Sequence, residues 1–148
     1  MEIKIETATI RLLDTLCQLE EQCFSEEAFT KRQIAYLLTD YNTIALAAKA
    51  QSDVVGFIIA QVEIDETEYG HIITVNVAQN YRHKGIATKL LHEIESLLKD
   101  RGIRECRLEV REDNNPAIKL YHKLGYQTIG KLERYYGKKH GIYLKKAL

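Results

Sequence analysis

Between residues 77 and 91 the chain reads VAQNYRHKGIATKLL, and no other segment restricts its fold so tightly. An apolar strand end runs into a basic turn, Arg82-His83-Lys84-Gly85-Ile86-Ala87, and then into a helix. The helix is read from spacing. Ile86, Leu90, Ile94 and Leu97, with Ala87, Leu91 and Leu98, recur at three- and four-residue intervals and form one buried stripe. Gly102 closes it as a C-cap. The first turn of a helix leaves about four N–H donors unpaired. Here Gly85 and Ala87 carry almost no side chain to keep an anion away, so a pyrophosphate can sit on the backbone. The dinucleotide fingerprint fails for want of glycines, and the Walker pattern fails because no Gly-Lys-Ser/Thr follows. Taken alone, R-x-x-G-x-A is equally a basic turn entering a helix.

The net charge of zero conceals a division at the same turn. Up to Tyr81 there are five Lys/Arg against thirteen Asp/Glu; from Arg82 onward there are sixteen against eight. Such a field suits an anionic ligand on the second half and a cationic substrate near the first, although the two halves can also fold against each other. No nucleic-acid module or long basic stripe is present, so no nucleic acid is expected as a partner. A chain of 148 residues with 45% hydrophobic content and a single Pro is read as one folded domain over 1–148. No run approaches the ~18 apolar residues of a membrane span, and the start lacks a signal-peptide core, so no membrane association is expected. Cys17, Cys23 and Cys106 show no C-x-x-C spacing and read as reduced thiols in a cytoplasmic protein.

In order, the pattern predicts a strand at 3–5, helices at 10–23 and 31–38, and strands at 43–50, 54–64 and 71–78. After the long helix, residues 104–111 alternate strictly, with Cys106, Leu108 and Val110 on a core face and Glu105, Arg107, Glu109 and Arg111 on a polar one. Asn115 and Pro116 read as the cap and first position of another helix, ended by Gly125. Strands at 126–132 and 142–148 close the chain around a turn at Tyr135-Tyr136-Gly137. The fold class is α/β, or mixed α+β: a mixed central sheet of about six to seven strands with helices on both faces.

YRHKGIATKLL, followed about twenty residues later by LEVREDNNPAIKLYHKLGY, resembles the GNAT family of N-acetyltransferases. Within it the chain is similar to the ribosomal-protein alanine acetyltransferases and the archaeal and eukaryotic protein N-terminal acetyltransferases. The resemblance implies acetyl-CoA as co-substrate, its pyrophosphate bound through the backbone N–H groups of the turn Arg82, His83, Lys84, Gly85, Ile86 and Ala87. It pairs the pantetheine arm with the backbone of Val75, Asn76 and Val77, with a further cofactor contact at Asn114. Glu109 matches the general base and Tyr121 the acid for the departing thiolate, itself at the cofactor. His71, in GHIITVNV, is a second acid/base candidate. Glu27 and Phe29 resemble one wall of the peptide site, and Tyr135 and Tyr136 the other. By pattern alone Glu109 is an ion-paired surface carboxylate and Tyr121 a packed aromatic; the resemblance reverses both readings. His83, His92, His122 and His140 show no ligand spacing, so no metal is expected.

The implied reaction is acetyl transfer to the α-amine of a protein or peptide N-terminus, a ribosomal protein among the candidates, by direct attack in a ternary complex. An α-amine of pKa about 8 costs ~1.4 kcal/mol to deprotonate at pH 7, a lysine about 4.6 kcal/mol, and a carboxylate base suits the first. The rivals are acetylation of a small amine, a polyamine or a lysine side chain, and a non-catalytic acyl-CoA sensor. Two departures bear on the substrate: Gly137-Lys138-Lys139-His140-Gly141 stands where those enzymes often carry an acidic turn, and Gln79 replaces the usual Pro. The sequence leaves the oligomeric state open.

Overall fold

The computed structural model describes residues 2–148. Seven strands form one sheet: β1 (Ile3–Thr7), β2 (Thr43–Ala50), β3 (Asp53–Ile64), β4 (Glu68–Val77), β5 (Glu105–Arg111), β6 (Gln127–Tyr136) and β7 (Lys139–Ala147). Their order is β1-β2-β3-β4-β5-β7-β6, and only the β4–β5 pair is parallel. The helices are α1 (Leu13–Phe24), α2 (Lys31–Thr39), α3 (Ile86–Asp100) and α4 (Asn115–Lys123). The mixed sheet with helices on both faces is the architecture read from the pattern.

Each face has its own core. Leu90, Leu91, Ile94 and Leu98 of α3 pack with Ile58, Ala60, Leu108 and Val110 on one side, where α4 adds Ala117, Leu120 and Tyr121. Each buried Leu or Ile there contributes about 1.5–3 kcal/mol relative to exposure. The close seat of α3 depends on Gly70, where a Cβ would come within 2.6 Å of Leu98 Cδ1. On the other face, Leu16 and Leu19 of α1 and Ile34 and Leu37 of α2 cover Ala45, Ala47, Phe57 and Ile59. The start of α2 is fixed by a reciprocal cap: Thr30 Oγ1 accepts from the Gln33 N–H, and Gln33 Oε1 accepts from the Thr30 N–H.

Two irregularities in β4 shape the centre of the sheet. Ile59 pairs with Thr74 and Ala60 with Ile72, so Ile73 is the extra residue of a β-bulge. Ile72, Val75 and Val77 pack toward α3, whereas Ile73 packs toward α1 and α2, and Thr74 and Asn76 bond to Glu20 of α1. The second irregularity is divergence. β4 pairs with β5 only at Gly70↔Cys106 and His71↔Arg107, after which the strands part and leave a gap in the sheet.

Three local expectations are corrected. The segment before α1 is a 3-10 turn, Ile10–Leu12, so the helix proper begins at Leu13. The cap of α4 is Asn114, not Asn115, because Asn114 Oδ1 accepts from the Ala117 N–H at 3.3 Å; Asn115 and Pro116 lie inside the first turn. Tyr135 and Tyr136 end β6 and are not in the turn. A bulge between Leu132 and Tyr136, with Arg134 at φ 51, absorbs the extra length, and Gly137 at φ 68 makes the reversal.

Candidate active site

On the donor side, Gly85 caps α3 in the left-handed conformation, φ 80, with no side chain covering the helix end and no acidic residue in the first turn. A Cβ on Gly85 would meet nothing within 4 Å, so the N–H groups open to solvent. Ile86 is buried and anchors the turn, leaving only its backbone for a ligand; Ala87 is half-buried. His83 and Lys84 are exposed beside it. An open, uncapped helix start with cations around it fits a pyrophosphate.

The Arg82 side chain is engaged within the protein. Its Nε donates to the Val77 carbonyl at 3.1 Å and its Nη2 to Cys23 Sγ at 3.5 Å, so it ties the turn to the edge of β4 and to α1. The Val77 carbonyl also accepts from Cys23 Sγ. Asn76 lies away from the gap: its side chain is buried, donating to Glu20 Oε1 and Thr74 Oγ1. Of the three strand residues whose backbone is expected on the pantetheine arm, Val75 also lines the cavity beside the gap.

That cavity has a volume of about 1050 Å³ and reaches from α1 and α2 through the parting of β4 and β5 to α4. His71, Glu109, Asn114, Tyr121, Glu27, Phe29, Tyr135 and Tyr136 all line it, so the expected catalytic and substrate residues share one space. The β4–β5 register explains how. His71 is paired with Arg107, and Glu109 is two residues further along the same face of β5. His71 Nε2 lies 2.7 Å from Glu109 Oε1, and Tyr135 donates its hydroxyl to the same oxygen at 3.4 Å. Burial lowers the His71 pKa, but bonding to Glu109 and to Glu63 outweighs it and the net value is raised. Tyr121 packs edge-on to Tyr126, and burial alone pushes its hydroxyl up to about 12.

The cavity walls are fixed by polar contacts. Glu20, almost fully buried, accepts from Thr74 Oγ1, Asn76 Nδ2 and the Phe29 N–H, which pins the α1–α2 connection to β4. Arg111 donates to both oxygens of Glu27 at 3.2 and 3.3 Å and to both of Asp113, joining that connection to the end of β5. Tyr135 and Tyr136 stack edge-to-face, centroids 4.9 Å apart, over Gly141; a Cβ there would lie 3.2 Å from Tyr135 Cβ. Lys138 and Lys139 are exposed at the hairpin tip.

Sequence reasoning missed Glu20 and Glu63. Glu63 Oε2 lies 2.7 Å from His71 Nδ1, a neighbour two residues along from His71's partner Gln61, and only the β3–β4 register reveals it. Among the described residues no cluster of His, Cys, Asp or Glu could hold a metal ion, and no helix is long and apolar enough to cross a membrane.

An open helix start with cations around it, and a cavity at a parted sheet that gathers a carboxylate, an imidazole and a tyrosine, are what an acyltransferase working from a coenzyme A thioester onto an amine requires. The chain belongs to the acetyltransferase (GNAT) family, whose model matches residues 13–126. An N-alpha-acetyltransferase of Saccharolobus solfataricus is 34% identical over 117 residues, covering 72% of this chain and 70% of that protein. A spermidine N(1)-acetyltransferase of Thermoplasma acidophilum is 27% identical, covering 86% of this chain and 90% of that one. The solved structure of Arabidopsis thaliana NAA60 with acetyl-CoA has the same fold, with a TM-score of 0.87 over 99% of both chains at 19% identity. The protein is an N-acetyltransferase with acetyl-CoA as its acyl donor.

Proposed function

We propose that the acceptor is the α-amine of a protein or peptide N-terminus, acetylated by direct attack in a ternary complex on this single domain, 1–148. The observation that carries this reading is Glu109, whose Oε1 is held by His71 and Tyr135 on the wall of a cavity that also reaches Tyr121. The N-alpha-acetyltransferase relative supports the choice of acceptor.

Acetyl-CoA supplies the thioester when bound. Gly85, Ile86 and Ala87 offer backbone N–H groups to its pyrophosphate, His83 and Lys84 add positive charge, and Asn114 and Val75 line the way to the gap. Arg82 and the Val77 carbonyl hold the turn against β4. Glu27, Phe29, Tyr135 and Tyr136 form the walls for the N-terminal residue, and the carboxylates of Glu20, Glu27 and Glu109 favour an ammonium group over an anion. Glu109, with His71 behind it, takes the proton from the amine, and Tyr121 protonates the departing sulfur. A general base and acid of this kind each contribute roughly 10²–10⁴ in rate. Cys106 is unsuited to carrying an acyl group, since it is fully buried and burial pushes its thiol up to about 12. Three unpaired thiols, two of them partly accessible, support a reducing, cytoplasmic setting.

The spermidine N(1)-acetyltransferase relative favours a second reading, a polyamine acceptor, and one experiment separates the two. A panel of peptides with free N-termini, the same peptides with internal lysines, and free polyamines is incubated with acetyl-CoA, and mass spectrometry locates the acetyl group. Acetylation at peptide N-termini is the expected result. Turnover confined to polyamines or lysines overturns the proposal.

A further inference from the structure

His71 is bracketed by carboxylates on both ring nitrogens. Nε2 lies 2.7 Å from Glu109 Oε1 inside the cavity, and Nδ1 lies 2.7 Å from Glu63 Oε2 outside it. Glu63 does not line the cavity, so it touches neither substrate nor donor. Its other oxygen accepts from the Tyr69 hydroxyl at 3.0 Å, and the Tyr69 ring lies under the Arg107 guanidinium, 3.8 Å from centroid to carbon. Arg107 is itself engaged by Glu105 and Asp65, so its charge is spent on those two. The groups facing the ring are thus Glu63 from β3, Tyr69 from β4, Arg107 and Glu109 from β5, Tyr135 from β6, and Tyr143 from β7, the cross-strand partner of Glu109.

We infer that Glu63 is a positioning residue for the acetyl transfer: it holds the Nδ1–H of His71, so that Nε2 stands behind Glu109 as the final acceptor of the amine's proton. The inference rests on the proposed roles of Glu109 and His71 and deepens them.

The physical reason is a mismatch of basicity. A carboxylate with an ordinary pKa of about 4.3 lies several units below an α-amine at about 8, so on its own it is a weak terminus for that proton. An imidazole begins at about 6.5, and a carboxylate on its far nitrogen stabilises the imidazolium, narrowing the gap. A hydrogen must lie between Nε2 and Glu109 Oε1 at 2.7 Å, so the observed contacts are those of the imidazolium, the proton-loaded state. In the neutral ring the one hydrogen stays on Nδ1 against Glu63 and leaves Nε2 free to take the proton that Glu109 delivers; with it on Nε2 instead, the nitrogen facing Glu109 is already occupied. The raised pKa of His71 agrees with this arrangement, since two carboxylates outweigh the effect of burial. Glu63 is the same device as the buried carboxylate that orients a catalytic histidine elsewhere in enzymology.

The bond changes balance. As the amine nitrogen bonds to the acetyl carbonyl carbon, the carbon–sulfur bond breaks and its electron pair leaves with sulfur, which takes the Tyr121 proton. The surplus proton on nitrogen passes by way of Glu109 to Nε2, and exchange with solvent restores His71 and Tyr121.

The test is Glu63→Gln in the full chain, an isosteric change on a side chain about one-third exposed. A glutamine can turn either its oxygen or its amide to Nδ1 and so no longer enforces one tautomer. Three results are expected. Titration of the His71 ring by NMR moves to lower pH. The kcat falls about tenfold or more with acetyl-CoA Kd unchanged, and the acid limb of the kcat–pH profile moves to lower pH. An unchanged His71 titration overturns the inference, and so does a slower enzyme with the wild-type pH profile, which marks a merely structural loss. If the wild type acetylates only free amines, the α-amine reading fails, and the same kinetic comparison on that amine decides the role of Glu63.

Discussion

The proposed donor side offers backbone N–H groups from consecutive residues of one turn, while the proposed acceptor side gathers side chains from α1, the α1–α2 connection, β4, β5, α4 and β6. His71 and Glu109 are 38 residues apart in sequence and 2.7 Å apart in space. A backbone site depends on conformation, chiefly Gly85 at φ 80, and tolerates variation in the side chains around it. A side-chain site depends on register, and each of its members is fixed by a different contact. The two sides should therefore fail separately when mutated.

The sharpest break is Glu109→Gln. We expect kcat to fall about 100-fold or more while acetyl-CoA Kd, read by calorimetry, stays put. Loss of acetyl-CoA affinity in this variant would show that the two sides are not separable. Tyr121→Phe should lower kcat by about tenfold or more, again with Kd unchanged, because only the proton donor is removed. From the donor side, Gly85→Ala forces an L-residue into φ 80 at a cost of about 1 kcal/mol, so acetyl-CoA Kd should rise roughly fivefold with kcat at saturation preserved. Gly141→Ala crowds Tyr135 and Tyr136, so KM for peptide should rise a few-fold and KM for acetyl-CoA stay constant in the same assays. The smallest effect is on stability. His71 has a folded pKa above its unfolded value, so its contribution is complete below about pH 6.5 and is lost as pH rises through the raised value. Thermal melting across that range should show a downward slope with pH that His71→Gln flattens.

The turn and helix proposed for the donor were almost wholly legible as structure because their signals are local: an apolar stripe every three to four residues, one glycine, and basic neighbours. The order of elements was legible for the same reason, down to the alternation that put Cys106 on the core face and Glu109 on the other. What the turn's sequence did not show is where the Arg82 side chain goes: its guanidinium is taken by the Val77 carbonyl and Cys23, a contact spanning 59 residues for the thiol. On the acceptor side, the resemblance named Glu109, Tyr121 and the tyrosine pair, and the fold brought them together. Glu20 and Glu63 left no local mark, since a carboxylate in an α-helix or at a strand end reads as a solvated surface group until pairing brings Thr74, Asn76 or His71 opposite it.

The bulge at Ile73 acts on strand β4 as a frameshift acts on a reading frame. Alternation assigns successive residues to opposite faces, and one inserted residue reverses that assignment for everything downstream. Ile73 and Thr74 accordingly share the α1 face, and Val75 and Val77 reach α3 while Asn76 reaches Glu20 because the bulge takes up the extra residue. Ironing the kink flat with Ile73 kept would exchange the two sets, turning Val75 and Val77 toward Glu20 and driving the amide of Asn76 into the apolar layer beneath α3, whereas excising Ile73 would leave each of them on its present face. The strand therefore depends on its kink for as long as it carries the extra residue, and can lose both only together.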